Sequence, residues 1–200
     1  MMKKSVIGLF IMGIALLMFS SCAKLPQVEI DNANAAIAEA EAASATIYVP
    51  AALNAVKDTL NAAMEEIEAQ KSKMFKSYKA PKAKLVNVVT LSANVKEKTI
   101  AKIAELKSQI QTTLDETTAL NNENKELVTK APKGKGGTTV LMAIKAEISN
   151  IDAAIEANSN YENSANLNEN LVTVKALKEQ TTGINTELKT VIAKYQSKGK

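Results

Sequence analysis

The sequence predicts an all-α protein, built of elongated antiparallel helical hairpins or a bundle, with about five helices following an N-terminal signal peptide. Apolar residues recur at steps of three and four along nearly the whole chain after the leader, the spacing that gathers side chains on one helix face. The chain is rich in Ala, Glu, Lys, Leu and Ile, with seven Gly, four Pro and no Trp in 200 residues, a composition of long thin helices rather than sheet sandwiches. No stretch alternates apolar and polar residues for long enough to demand a strand.

The leader, residues 1–21, has three parts: Lys3-Lys4, an apolar run of 14 residues from Val6 to Phe19, and the small pair Ser20-Ser21. At the helical rise the run would extend roughly 21 Å, short for a bilayer span and suited to a signal peptide. Cys22, the chain's one cysteine, follows directly. Phe19-Ser20-Ser21-Cys22 resembles the lipobox of bacterial outer-membrane lipoproteins, with Phe19 where Leu is usual. The resemblance implies cleavage after Ser21 and, on the Cys22 thiol, a diacylglycerol with a further fatty acyl chain such as palmitate. No other cofactor is expected. Ala23, in place of an Asp, implies in that resemblance sorting to the outer membrane if the host is Gram-negative. The expected location is lipid-anchored on the outer membrane, facing the periplasm. An ordinary secretory leader followed by an incidental cysteine is the competing reading.

In the mature chain, Ile30, Ala33, Ile37, Ala40, Ala43 and Ile47 give a first stripe, and Leu53, Val56, Leu60, Met64 and Ile67 a second. Leu85, Val88, Val95, Ile103, Leu106, Ile110, Leu120 and Leu127 form a third, on a helix expected from about Pro81 to Lys130. Between residues 103 and 127 this stripe fits a coiled-coil heptad. Ile103, Ile110, Thr117 and Asn124 occupy one seam position, and Leu106, Thr113, Leu120 and Leu127 the other. Thr and Asn weaken such a seam, so intramolecular packing is expected rather than a long homodimeric coil. Leu141, Ile144, Ile148, Ile151 and Ile155 make a fourth stripe, and Leu171, Val174, Leu177, Ile184, Leu188, Val191 and Tyr195 a fifth. Pro50 and Pro81 suit first helical turns, where a missing N–H is harmless. Pro132, Gly134, Gly136 and Gly137 mark a loop. The expected organisation is therefore an N-terminal helical region, 22–130, with the long third helix, a Gly/Pro/Lys loop, 131–137, and a C-terminal helical pair, 138–200.

An internal repeat runs through this pattern. Leu53-Asn54-Ala55-Val56-Lys57 aligns with Leu141-Met142-Ala143-Ile144-Lys145, and the register holds to Ile67-Glu68-Ala69 over Ile155-Glu156-Ala157. After a gap, Tyr78 falls over Tyr161, and Asn87-Val88-Val89-Thr90 over Asn170-Leu171-Val172-Thr173. The expectation is a duplicated helix pair. Residues 35–70, with the Ala-rich segment Ala35 to Ala43 followed by Tyr48-Val49-Pro50-Ala51, resemble the DUF4398 family of alanine-rich envelope lipoproteins, with Val49 where that family usually has Ala. The resemblance covers less than a third of the chain and implies an envelope helical hairpin without a known activity.

The residue inventory argues against an enzyme. Histidine is absent, and with Cys22 committed to lipid this removes Ser-His-Asp and Cys-His catalysis and His-containing zinc or di-iron sites. Glu65, Glu66 and Glu68 form the tightest carboxylate cluster, but helical spacing splays them over a polar face. Gly134-Lys135-Gly136-Gly137-Thr138-Thr139 lacks the Walker spacing and reads as a flexible turn. No small-molecule substrate or metal is evident. All 25 basic residues are lysine, and loss of Lys3 and Lys4 leaves 23 against 21 acids. Near-balanced charge, with no arginine fork for phosphate or base edges, argues against nucleic acid.

Two lysine-bearing features remain. Lys71, Lys73, Lys76, Lys79, Lys82 and Lys84 crowd around Phe75 and Tyr78 at an expected helix turn, where they would suit an anionic lipid, lipopolysaccharide or cell-wall surface. The competing reading is a hydrated loop with the two rings capping the hairpin. The C-terminal Tyr195-Gln196-Ser197-Lys198-Gly199-Lys200 resembles the lysine end by which Braun-type lipoproteins join peptidoglycan. The sequence thus points to a non-catalytic, lipid-anchored helical scaffold, spacer or protein-binding module, whose partners are the membrane and an envelope protein or cell-wall polymer. The alternatives are a membrane-to-peptidoglycan tether through Lys200 or the Lys71 to Lys84 cluster and a surface-exposed adhesin-like lipoprotein.

Overall fold

A computed structural model describes residues 24–132 and 137–198. Ser21, Cys22 and Lys200 lie outside the described residues. The elements are α1 (Gln27–Ala42), the single turn α2 (Ala45–Tyr48), α3 (Pro50–Lys71), α4 (Lys79–Lys130), α5 (Gly137–Asn158), a 3₁₀ turn (Tyr161–Asn163) and α6 (Leu167–Lys198). The fold is all-α, with no strand among the described residues. The five long helices carry the five apolar stripes, and α2 is an addition that periodicity did not announce.

The chain divides into two compact units, one made of the described residues through Ile100 and the other beginning at Ala101, so the division falls inside α4. In the first unit, Ile30, Ala33, Ile37 and Ala40 of α1 pack with Leu53, Val56, Ala63 and Ile67 of α3 and Leu85, Val88 and Val95 of α4. Ala33, Ala40 and Ala63 are fully buried, so small side chains allow close approach of the helix backbones there. Each larger aliphatic side chain buried in this way contributes roughly 1.5–3 kcal/mol. The α1–α3 turn is made at Ser44, which adopts φ 74°, the left-handed conformation that commonly closes a helix. Ala43 N–H donates to Glu39 O and Ser44 N–H to Glu41 O, satisfying carbonyls at the end of α1. Pro50 then occupies the first position of α3. The reversal at Ser44 ends the first stripe early, so Ala45 is buried and Ile47, expected in the core, is 45% exposed.

In the second unit, Val128 of α4 and Ala131 just after it pack with Ile144, Ile148 and Ile151 of α5 and Leu177, Ile184 and Leu188 of α6. The heptad is present but shifted on one side. Ile110, Thr117, Asn124 and Ala131 are buried as one seam, whereas the other runs through Leu114, Asn121 and Val128, with Leu120 and Leu127 only half-buried. Asn121 is held inside because its Nδ2 donates to Ile148 O at 3.0 Å and to Asp152 Oδ1 at 2.9 Å. Asn124 Nδ2 donates to Thr181 O at 3.0 Å, and Asn185 Nδ2 donates to Asn124 Oδ1 at 2.8 Å, linking α4 to α6 by a buried amide pair. The buried Thr117 and Thr181 hydroxyls are satisfied within their own helices, on Thr113 O and Leu177 O. The fifth stripe stops short of its expected end. Val191 and Tyr195 are exposed, and Ile192 makes the last contact with the core.

The sequence repeat falls on matching elements. Both α3 and α5 have 22 residues, each is followed by a connection carrying a buried tyrosine, Tyr78 or Tyr161, and each connection leads into a longer helix. Two further repeat pairs, Val56 with Ile144 and Val88 with Leu171, are buried in both copies.

Candidate functional site

The six clustered lysines lie on the last residue of α3, on the connection after it and on the start of α4. The connection is short and contains no glycine, and its shape is set by local hydrogen bonds. Ser72 Oγ donates to Ala69 O at 3.1 Å, Lys73 N–H to Gln70 O at 3.1 Å, and Ser77 N–H to Gln70 Oε1 at 3.2 Å. Tyr78 is buried in the first unit's core and anchors the returning chain, which starts α4 with Lys82 N–H on Tyr78 O at 2.9 Å.

Only one of the two rings caps the hairpin. Phe75 is 87% exposed and its neighbour Met74 is 91% exposed, so the connection projects two large apolar side chains into solvent. They are the two most exposed large apolar side chains among the described residues, ahead of Val172 at 69%.

The lysines separate into two groups. Lys71 pairs with Glu68 at 2.6 Å, Lys82 with Glu29 at 2.5 Å, and Lys84 with Glu66 at 2.5 Å. The Lys82 ammonium, followed by the helix's own Glu29 N–H, holds the Glu29 carboxyl below the usual carboxylate range. Lys73, Lys76 and Lys79 have no ion-pair partner among the described residues, and they flank Met74 and Phe75. The glutamates expected to splay do so: Glu66 turns to Lys84, Glu68 to Lys71, and Glu65 is exposed.

A residue set that sequence reasoning missed completes this end of the unit. Lys24, Leu25 and Pro26, the first described residues, line one shallow depression of about 490 Å³ together with Lys76, Ser77, Tyr78, Lys79 and Lys82. The first described residues therefore lie beside a connection some fifty residues later. Only tertiary packing reveals this, because no local pattern links the two segments; the one signal available was the opposite charge of Glu29 and Lys82.

Elsewhere, among the described residues, no three His, Cys, Asp or Glu side chains converge to hold a metal ion, and no helix is long and apolar enough to cross a membrane. Of the Gly-rich segment, residues 133–136 lie outside the described residues, and Gly137 opens α5.

No protein-family model matches the chain, and neither a curated protein nor a solved structure matches it.

Proposed function

We propose that this chain is a non-catalytic, lipid-anchored helical protein of the cell envelope, acting as a scaffold, spacer or protein-binding module on the periplasmic side of an outer membrane. The observation that carries the reading is the N-terminal sequence: Lys3-Lys4, a 14-residue apolar run, two small residues and then the chain's one cysteine. Each buried CH₂ of an acyl chain contributes roughly 0.8 kcal/mol, so two or three chains on Cys22 hold a protein durably on a bilayer. The absence of histidine from the whole sequence supports a non-catalytic role, and the resemblance of residues 35–70 to alanine-rich envelope lipoproteins supports the location.

Intact-mass analysis of the exported protein tests the anchor. The expected mass is that of a chain beginning at Cys22 with a diacylglycerol and a fatty acyl chain added, and Cys22→Ala should release the protein from membranes. A chain that begins elsewhere, or carries no lipid, overturns the reading. Affinity capture from crosslinked membranes tests the module role, which fails if only abundant bystanders are recovered.

A further inference from the structure

We infer that the α3–α4 connection is a second membrane contact, in which Met74 and Phe75 enter the leaflet that receives the acyl chains and Lys73, Lys76 and Lys79 lie on its anionic headgroups. The inference rests on the anchoring reading for its geometry. Cys22 is two residues before Lys24, and consecutive Cα atoms are 3.8 Å apart, so the acylated sulfur's backbone stays within about 8 Å of Lys24. Lys24 and Leu25 share one depression with Lys76, Tyr78 and Lys79. An anchor at residue 22 therefore brings this end of the first unit against the bilayer.

Three features of the tip match that surface. Two large side chains, 91% and 87% exposed and adjacent in sequence, supply apolar area with nothing in the fold to cover it. From residue 24 to 29 and from 66 to 84 the chain carries seven lysines and three glutamates, so the tip keeps an excess of positive charge after its ion pairs form. The two lysines adjacent to Met74 and Phe75 in sequence, Lys73 and Lys76, have no ion-pair partner among the described residues, nor has Lys79, so their contact with headgroups need not break a salt bridge. Clustered lysines are attracted to anionic lipid, and long lysine stems can follow an apolar neighbour into the interface while the ammonium stays hydrated. An acyl anchor fixes location, and a second contact fixes which end of the unit faces the membrane.

The chain has no tryptophan, so Phe75→Trp introduces a single fluorophore at an exposed site where folding is not at stake. Ile47→Trp, exposed at the opposite end of the 22-residue α3, about 30 Å away along the helix, is the control. The full natively exported chain is bound to phosphatidylethanolamine vesicles with and without phosphatidylglycerol, carrying brominated acyl chains. Emission from the Phe75→Trp variant should shift to the blue and be quenched, more strongly with phosphatidylglycerol, while the Ile47→Trp variant stays unquenched. In the Phe75→Trp background, Lys73→Glu/Lys76→Glu/Lys79→Glu should abolish the gain from phosphatidylglycerol. Equal quenching in the two variants, or none in Phe75→Trp, overturns the contact, and an undiminished gain in the triple lysine replacement overturns its electrostatic part. Intact mass measured on the same samples judges the acyl anchor separately, since the contact is decided by the difference between the two fluorophore positions alone.

Discussion

The two units solve one packing problem with different chemistry. In the first, α1 meets its neighbours through Ile30, Ala33, Ile37 and Ala40, and its polar contacts are ion pairs at the surface: Lys57 with Glu41, Lys96 with Glu39 and Lys82 with Glu29. In the second, α4 places Thr117, Asn121 and Asn124 inside. Exposed ion pairs contribute little to stability and tolerate rearrangement. Buried amides are costly to leave unpaired, so Asn124 with Asn185, and Asn121 with Ile148 and Asp152, penalise any sliding of the helices. Alanine-based packing gives close approach with weak register; asparagine-based packing gives register and sacrifices apolar burial.

The sharpest way to break this contrast is to truncate one side chain in each core. Ile67→Ala in the first unit removes a fully buried aliphatic group and should cost about 3–4 kcal/mol, read as a loss in urea unfolding. Asn124→Ala in the second should cost about 2–3 kcal/mol, because it leaves Asn185 Nδ2 without its acceptor. The sum is the test of mechanism. If hydrogen-bond satisfaction governs the second core, Asn124→Leu/Asn185→Leu will cost much less than its two single replacements added together. Additive losses would mean that the amides act only by filling space.

A smaller effect of opposite sign is expected in the first unit at Ser92, whose buried hydroxyl has no hydrogen-bond partner. Ser92→Ala should stabilise by about 1 kcal/mol, since an unpaired hydroxyl costs roughly 1–3 kcal/mol to bury. The analogous Thr181→Ala in the second unit should destabilise, as that hydroxyl is satisfied and its methyl is packed. A shared sign at the two positions would erase the distinction.

Helix count and the buried face of most helices were legible because long amphipathic segments repeat one signal many times. Leu53, Val56, Leu85, Val88, Ile144, Ile148, Val174 and Leu188 were all identified from spacing and all are buried. Errors gathered where one residue changes the phase. Ser44 takes a left-handed conformation usually given to glycine or asparagine, so nothing in the sequence warned that Ile47 would leave the core. Asn121 takes the seam position rather than Leu120, its Nδ2 donating to Ile148 O and Asp152 Oδ1 on α5 while its Oδ1 stays buried without a partner, an arrangement that hydropathy cannot register. At the candidate site the lysine cluster was legible, but the exposure of Phe75 and the proximity of Lys24 were not. Both depend on Tyr78 taking the buried place and on how α1 lies against the start of α4.

A further test within the second unit concerns Gly183, an exposed residue inside α6 where an added Cβ would meet nothing within 4 Å. Gly183→Ala should stabilise by about 0.5–1 kcal/mol, through helix propensity alone. Thermal unfolding would show a higher midpoint. No change would mean that helix propensity at this mid-helix position does not limit the stability of the unit.

The gentlest comparison is with pH, because it perturbs no packing. Glu29 in the first unit and Glu123 in the second both have lowered pKa values, caused chiefly by Lys82 and Lys189. A carboxyl depressed in the folded state stabilises it above the ordinary glutamate range, about pH 4–5, and that contribution is lost as pH falls through the depressed value. Both units should therefore weaken on the acid side, and Lys82→Met or Lys189→Met should flatten that slope. On the alkaline side they diverge. Burial, with the nearby charges of Glu162 and Asp115, raises the Tyr161 pKa. Its neutral form, donating to Gln111 Oε1 at 3.0 Å, belongs to the folded state, so its contribution is intact below the ordinary tyrosine value near pH 10 and disappears as pH climbs through the raised one. Tyr161→Phe should remove this alkaline loss while leaving the acid slope untouched. An unchanged alkaline slope would place the sensitivity in some other group and detach it from the buried ring that closes the second repeat.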